Sequence, residues 1–373
     1  MRLAVIFAAT LAMSMAVTAN TFAADYSYTT IASGNDTLFL DGCPAINNFG
    51  AVAFSAVETD PETFDEQDKM LRGSGGALTT IADETNHPIT SVIGNPSIND
   101  LGAVAFDANP TGTDSEVIVR GSGGPLTEIA RARSTGPRFD SFTADVSLNN
   151  FGRVAFTGEL NDALSDQGLF EGSGGAVATR YTRETSQFDG SIAAPSLNDL
   201  GQVAFEERTD SDVNGIFRQN PGGSGSETTI ADSTGGLSFF DGDVSLNNLG
   251  RAAFIAFDDD FTGQAIYTGR GGALTEVANT AGEYESFNSG GASLDDLGRV
   301  AFQAGLDDFS SSGVFTGPNS VRDAVIRTGD RIRGKRVQEV TACREMLNVR
   351  GQIAARVFYL DGTSAIIRAT PRR

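Results

Sequence analysis

An apolar triplet, Val-Ala-Phe or a close variant, returns about every fifty residues along this chain and follows a polar turn each time. A strand with one wet face alternates apolar and polar residues, whereas this triplet is apolar throughout, so it predicts a strand covered on both faces. A short strand ending in Ser-Leu-Asn precedes the turn, and two more strands follow the triplet. A period of this length with repeated turns predicts units of four strands and no helix.

The turn before each triplet has the form Asn-x-x-Gly or Asp-x-x-Gly. Asn and Asp suit the first position of a type I turn because their side chains bond the backbone just ahead, and glycine suits the last position, where φ becomes positive. We therefore predict that these residues are structural and neither bind metal nor catalyse a reaction. They are Asn47 and Gly50, Asn99 and Gly102, Asn149 and Gly152, Asn198 and Gly201, Asn247 and Gly250, Asp295 and Gly298, and Asn348 and Gly351.

The two chain ends predict how the units are arranged. The last unit stops before its fourth strand, and residues 26–33 near the start match that strand in sequence. A chain divided in this way can close on itself and remove the exposed strand edges that an open array must cap. We therefore predict one domain, residues 24–373, folded as a seven-bladed β-propeller in which strand 26–33 completes the last blade. A β-solenoid is the alternative, but it would need capping units.

The cysteines agree with closure. Cys43 and Cys343 fall in the innermost strands of the first and last units, which become neighbours only if the array closes. We predict a disulfide between them, provided that the compartment is oxidising and the Cα atoms lie close enough.

The start of the chain and its charge indicate export. Arg2, an apolar stretch and a small-residue site predict a signal peptide over residues 1–23, cut after Ala23 or Ala24. No later segment is apolar enough to span a bilayer, so we expect a secreted, periplasmic or surface protein. The net charge of −21 argues against nucleic acid as a partner, because phosphates require a basic surface.

The signal peptide, the period and the Asn-x-x-Gly-x-x-Ala-Phe consensus together resemble a family of exported bacterial tandem-repeat proteins that is named for this consensus and often ends in a choice of surface anchors. The resemblance covers nearly the whole mature chain and implies a secreted or surface protein of undetermined activity. It offers no catalytic residues, and this chain lacks a recognisable anchor.

Few residues are candidates for chemistry. His87 is the single histidine, so any Ser-His or Cys-His pair would have to use it, and a centre with several histidines is excluded. We interpret His87 as a solvated loop residue. The loops after the triplets are rich in acidic residues, and Asp258, Asp259 and Asp260 are the candidate Ca²⁺ ligands. No other cofactor is indicated.

These patterns favour a non-enzymatic binding or scaffold module that recognises a protein or a glycan through its acidic loop face. One alternative is a hydrolase or lyase that acts on an extracellular polymer with a pair of carboxylates at the mouth of the central channel. A Ca²⁺-binding structural module is another. A carboxylate buried in the channel beside an Arg or Tyr would favour the enzyme.

Overall fold

The computed structural model describes residues 26–113, 115–133, 138–142, 145–161, 166–188, 194–221, 223, 225–306 and 311–372. The predicted signal peptide, residues 1–23, lies outside these ranges. The described residues form β-strands joined by turns and loops, with one short 3-10 segment at Arg183–Thr185 and no α-helix among them. The prediction of an all-β chain is confirmed.

Seven units follow one another along the chain, each built around one Asn-x-x-Gly or Asp-x-x-Gly turn. Strand β1 (Tyr26–Gly34) precedes unit one, which contains β2 (Leu38–Ile46), β3 (Val52–Thr59), β4 (Glu66–Gly73) and β5 (Thr79–Asp83). Unit two contains β6 (Ile89–Ile98), β7 (Val104–Pro110), β8 (Ser115–Gly121) and β9 (Thr127–Arg133). Unit three contains β10 (Phe139–Phe142), β11 (Ser147–Leu148), β12 (Val154–Leu160), β13 (Gln167–Gly172) and β14 (Ala178–Thr182). Unit four contains β15 (Ser196–Leu197), β16 (Val203–Arg208), β17 (Asn214–Gln219) and β18 (Glu227–Asp232).

The last three units follow the same plan. Unit five contains β19 (Leu237–Leu246), β20 (Ala252–Asp258), β21 (Gln264–Gly269) and β22 (Thr275–Asn279). Unit six contains β23 (Tyr284–Phe287), β24 (Ser293–Leu294), β25 (Val300–Leu306), β26 (Ser312–Phe315) and β27 (Ala324–Arg327). Unit seven contains β28 (Arg331–Ile332), β29 (Lys335–Thr341), β30 (Ile353–Tyr359) and β31 (Ser364–Pro371).

Three sheets differ from the expected set of separate four-stranded sheets. The sheet of unit six has five strands, because β23 and the short β24 both pair with β25. Units two and three share one nine-stranded sheet, because β9 extends far enough for Ala132 to pair in parallel with Phe139 of β10. The sheet of unit seven has five strands in the order β1-β31-β30-β29-β28. All other pairings between consecutive strands of a unit are antiparallel.

The core lies between neighbouring units. In unit one, Val52, Ala53 and Phe54 have no exposed surface, as the uninterrupted apolar triplet predicts. Ala53 of unit one and Phe106 of unit two belong to one buried hydrophobic cluster, so the sheets of units one and two pack face to face. Burial of an aromatic side chain in such a site stabilises the fold by about 3–5 kcal/mol relative to alanine.

The first and last described strands pair with each other. Strand β1 pairs antiparallel with β31, from Tyr26 opposite Pro371 to Gly34 opposite Ser364. This is the pairing expected from the sequence of residues 26–33. In five units an arginine also donates to the carbonyl group of the next unit's turn glycine: Arg72 to Gly102, Arg120 to Gly152, Arg180 to Gly201, Arg218 to Gly250, and Arg368 of unit seven to Gly50 of unit one.

Candidate functional site

The turn asparagines link the seven units to one another. Oδ1 of Asn47 accepts hydrogen bonds from the backbone of Phe49 at 3.1 Å and Ala51 at 2.9 Å, which holds its own turn. Its Nδ2 donates to the carbonyl oxygen of Asn99 in the next unit at 3.0 Å. The same donation continues from Asn99 to Asn149, Asn198, Asn247 and Asp295, and Asn348 donates to Asn47 at 2.8 Å.

Asp295 cannot continue this series because a carboxylate has no proton to donate. Arg299 takes its place, since Nε donates to Oδ2 of Asp295 at 2.6 Å and Nη2 reaches the carbonyl oxygen of Asn348 at 3.4 Å. The sequence patterns predicted the bonds within each turn but gave no indication of these bonds between units.

The second position of each turn forms another series around a shared cavity of about 160 Å³. Except at Asp296, whose counterpart in the next unit is Val349, the backbone N–H at this position donates to Oδ1 of the corresponding residue in the next unit, for example from Asn48 to Asp100 at 2.8 Å. Asn and Asp alternate, so side-chain amides flank the carboxylates of Asp100 and Asp199 on both sides. We call these the second-turn residues: Asn48, Asp100, Asn150, Asp199, Asn248, Asp296 and Val349.

The innermost strands are broken four residues before each turn asparagine or aspartate. Register shifts lie between Asp41 and Ala45 in unit one and between Ile93 and Ser97 in unit two. Such bulges redirect side chains. The residues at this position differ between units, and we call them the break residues: Cys43, Asn95, Asp145, Ala194, Asp243, Gly291 and Arg344.

Arg344 reaches from unit seven to the opposite units. Its Nη1 donates to the carbonyl oxygens of Ala194 and Pro195 at 3.1 and 2.6 Å, and Nη2 donates to that of Val146 at 3.1 Å. Nε lies 3.7 Å from Oδ2 of Asp243. The Arg344 side chain is 6% exposed, and the neighbouring cavity has only about 10 Å³, which is room for at most one water. The guanidinium therefore fills the space between the innermost strands.

The Glu345 carboxylate takes the place of a serine hydroxyl group that unit one lacks. In most units the serine two residues before the turn Asn or Asp accepts a bond from the next unit, as Ser147 does from the Leu197 N–H. Unit one has Ala45 there, and the Glu345 carboxylate accepts instead from the Ser97 hydroxyl at 2.7 Å and from the Ile98 backbone. Burial raises the pKa of Glu345 to about 7, although the Arg344 guanidinium and these hydrogen bonds oppose the shift.

The predicted disulfide is confirmed. Cys43 of unit one and Cys343 of unit seven are bonded, with their Cα atoms 5.7 Å apart. This distance lies within the usual range for disulfides. The bond joins unit one to unit seven, beside Arg344 and Glu345.

A groove with a volume of about 850 Å³ lies between units one and two. Thr80 and the loop from Asn86 to Ile89 form one side, and strands β8 and β9 with their flanking loops form the other. Its apolar surface comes from Ile89, Val117, Val119, Leu126 and three prolines; Glu128 and Arg131 add charges. Pockets of this size and mixed lining are typical of ligand sites.

His87 lies in this groove and is half-buried, so the expectation of a freely solvated loop residue is wrong. Its Nδ1 accepts a hydrogen bond from the backbone N–H of Asp83 at 3.3 Å, and Nε2 lies 3.2 Å from the carbonyl oxygen of Gly124. These partners assign the neutral tautomer that carries its proton on Nε2. Both nitrogens are engaged, so the ring positions a loop against unit two.

The Ca²⁺ candidates do not converge. Oδ1 of Asp258 accepts from the backbone of Thr262 at 2.8 Å, and this bonding lowers the pKa of Asp258; Asp259 and Asp260 are exposed. In the described part of the chain, no three His, Cys, Asp or Glu side chains form a group able to hold a metal ion. Within the same residues, no helix is long and apolar enough to cross a membrane.

A family of unknown function, DUF7453, matches residues 46–356. The chain belongs to this family. No curated protein matches the sequence. The DUF7453 match spans all seven turns, from the residue before Asn47 to beyond Gly351.

Solved structures resemble this DUF7453 chain in fold. An orthorhombic crystal form of the Pyrococcus horikoshii acylaminoacyl peptidase has a TM-score of 0.54 and 12% identity over 88% of this chain and 52% of the peptidase. Apo prolyl oligopeptidase B from Galerina marginata has a TM-score of 0.52 and 7% identity over 87% and 48%. The WD40 domain of Toxoplasma gondii coronin has a TM-score of 0.43 and 12% identity over 94% and 88%. The chain thus spans about half the length of the two peptidases, and the likeness shows a β-propeller-like all-β fold alone.

Proposed function

We propose that this protein is an exported, closed, seven-bladed β-propeller that binds an extended peptide segment of a partner protein in the groove between its first two blades. Contacts between unit seven and unit one support closure: the pairing of β1 with β31, the disulfide, and the bonds from Asn348 to Asn47, Val349 to Asn48 and Arg368 to Gly50. The disulfide and the resemblance to exported repeat proteins support a secreted, periplasmic or surface location.

The shape of the groove supports a peptide ligand, and this is the observation on which the proposal depends. Its lining runs from Thr111 and Thr113, before β8, to Gly123 and Gly124, after it. It therefore follows the whole of β8, whose seven residues span roughly 20 Å. An extended chain of about six residues fits this length.

The composition of the groove favours a peptide over a glycan. No Phe, Tyr or Trp lines it, and the His87 imidazole is the one aromatic ring among its lining residues, so it offers little flat surface on which sugar rings can stack. Instead, aliphatic and proline side chains alternate with Glu128, Arg131 and backbone carbonyl groups, which suit apolar side chains and amides.

The arrangement that would favour an enzyme is present but blocked. Asp243 lies beside Arg344 between the innermost strands, as the hydrolase or lyase alternative requires. However, three backbone carbonyl groups hold the guanidinium, and the remaining space admits at most a water molecule. The space beside Arg344 therefore has no room for a polymeric substrate, although the Asp243 side chain keeps 20% of its surface exposed, and we favour binding.

Selection from a phage-displayed random-peptide library tests the groove. We expect peptides that bind the wild type to lose more than about tenfold in affinity, about 1.4 kcal/mol, when Thr80→Arg or Thr111→Arg places a long side chain in the groove. Both threonines are exposed at opposite ends of the groove, so the fold tolerates the change.

Thr229→Arg is the matched control, because Thr229 is exposed at the position of unit four that corresponds to Thr80. It should leave peptide affinity unchanged. If the selected peptides bind all three variants as tightly as the wild type, the groove is not the binding site.

A further inference from the structure

Six large apolar side chains project from the turns that surround the shared cavity. They occupy the third position of the turn in units one to six and are between 63% and 81% exposed. Turns favour Gly, Pro, Asn, Asp and Ser, so the turn conformation does not explain an apolar residue at this position. None of these side chains lines the groove proposed for peptides. We call them the rim residues: Phe49, Leu101, Phe151, Leu200, Leu249 and Leu297.

The turns hold the rim residues in place around the cavity. Oδ1 of the first turn residue accepts the backbone N–H of the rim residue, at 3.1 Å for both Phe49 and Phe151. Neighbouring turns are bonded to each other, and all seven line the same cavity. At roughly 100 Å² each, the six side chains present about 600 Å² of apolar surface, which is at the upper end for the largest patch on a monomer. A patch of this size marks a surface for interaction.

Guanidinium groups lie directly behind the rim residues. Five turn glycines accept a hydrogen bond from an arginine of a neighbouring unit, and each of these glycines follows a rim residue. Arg72, for example, bonds to Gly102, which follows Leu101. In the seventh turn Arg350 takes the place of the apolar residue, and its guanidinium carbon lies 5.7 Å from the centroid of the Phe49 ring. Cationic groups therefore accompany the apolar side chains around the rim.

The charge around the turns is opposite in sign to that of the whole chain. Besides Arg350 and the five arginines that bond to turn glycines, Arg153, Arg251 and Arg299 directly follow a turn glycine, which makes nine arginines. Against them stand the four aspartates of the turns and the buried Glu171, which pairs with Arg153 and Arg180. The whole chain, in contrast, has 48 acidic residues and 27 lysines and arginines. The rim is thus a basic surface on an acidic protein.

We propose that the rim docks on the surface of an anionic phospholipid bilayer. The six apolar side chains enter the boundary between the head groups and the acyl chains, and the arginines behind them bind lipid phosphates, for which the guanidinium group is well suited. The negative potential of the bilayer surface attracts the basic rim. A bilayer has the same chemistry at every point of its surface, so the same kind of residue can serve in every unit.

The charges favour a bilayer over a second copy of the chain. Two copies packed rim against rim would bring their arginines together, and such like-charge contacts oppose association. The apolar surface of about 600 Å² is also smaller than the total of about 800 Å² that each partner buries in a standard interface. An anionic bilayer instead supplies the opposite charge and an apolar interior for each inserted side chain.

Co-sedimentation with phospholipid vesicles at low salt tests the proposal. We expect the protein to bind vesicles of equal parts phosphatidylcholine and phosphatidylglycerol more than about tenfold more tightly than vesicles of phosphatidylcholine alone. Leu101→Ser combined with Phe151→Ser should weaken binding to the anionic vesicles by more than about tenfold, because it removes two inserted side chains. Arg350→Gln should weaken the same binding by about fivefold through the loss of one charge.

Phe64→Ser combined with Phe261→Ser is the matched control. These phenylalanines are 78% and 64% exposed, but they lie in loops at the far end of the strands that follow the turns. The control therefore loses a similar apolar area and should bind anionic vesicles as the wild type does. Both double variants should keep the melting temperature of the wild type, because the exchanged side chains are exposed.

Three results would overturn the proposal. The protein does not bind anionic vesicles, the rim variant binds them as tightly as the wild type, or the control loses as much binding as the rim variant. A dimer that forms without lipid and that the rim variant disrupts, together with a lack of vesicle binding, would assign the rim to a second copy of the chain instead.

Discussion

The two ends of each innermost strand differ in how far their side chains vary from unit to unit. At the turn end, the same side chain recurs in nearly every unit, and each hydrogen bond joins only neighbouring units. At the break residues, four positions earlier, the side chains differ from unit to unit. One of them, Arg344, bonds to units three and four, about 150 residues or more away in sequence.

The repeated turn residues form the framework of the fold, whereas the divergent break residues are positions where a site can form. The conformation of a turn depends on residues within about five positions, so the same turn sequence can recur in every unit. A contact across the space between the innermost strands needs one particular partner on the other side, so repetition would prevent it. A cavity that Asp145 lines and the buried Arg344 side chain both lie at the divergent end. Departures from the repeat are therefore the first places to look for a site that recognises one particular partner in this fold.

Removal of the Arg344 guanidinium should have the largest effect. Arg344→Met leaves the Asp243 carboxylate and three backbone carbonyl groups without their partner, and we expect a loss of about 3–5 kcal/mol in the free energy of unfolding. Denaturant unfolding with the disulfide intact measures it. Arg270→Met, at an exposed position, should change stability by less than about 0.5 kcal/mol. Equal effects of the two variants would contradict the role given to Arg344.

Glu345 should make stability depend on pH with a defined sign. Its pKa is about 7 in the folded protein, against 4.5 for an ordinary glutamate. The folded state thus holds a proton that the unfolded state releases, so stability is highest below about pH 4.5 and falls as the pH rises to about 7. The free energy of unfolding falls by about 3 kcal/mol at most over this pH range.

Glu345→Gln keeps an oxygen that accepts from Ser97 but cannot ionise. We expect this variant to gain thermal stability relative to the wild type as the pH rises from about 5 to 7. The melting temperatures of both proteins across this range measure the effect. Parallel curves would show that Glu345 is not protonated in the folded protein.

Several features of the framework could be predicted from the sequence because their causes are local or symmetric. The Asn-x-x-Gly spacing indicated each turn, and the match between residues 26–33 and the fourth strands of other units indicated the pairing with β31. The positions of Cys43 and Cys343 indicated the disulfide. The sharing of a sheet by units two and three was not expected, since it depends on a single pairing between Ala132 and Phe139.

The site was harder to predict because its contacts join residues that are distant in sequence. Arg344 is one arginine among many, and only alignment of the seven units shows that it stands where the others have small or acidic residues. Asp107 is buried and directly follows a buried triplet, but nothing in the sequence distinguishes it from the other acidic residues of the loops after the triplets. His87 was expected in solvent because nothing near it in sequence shows that Gly124 lies beside its ring.

The smallest expected effect concerns the alternation of the second-turn residues. Seven is an odd number, so Asn and Asp cannot alternate around all seven units, and Val349 occupies the position where the pattern must break. As a result, an amide flanks the Asp296 carboxylate only on the side of Asn248.

Val349→Asn would supply the missing amide and should stabilise the protein by about 0.5–1 kcal/mol. Val349→Asp would place a second carboxylate beside Asp296 and should destabilise it by a similar amount. Thermal unfolding of the two variants at neutral pH measures the difference. If Asn and Asp at position 349 have the same effect at neutral pH, alternation of charge is not what orders these turns, and the backbone bonds alone hold them together.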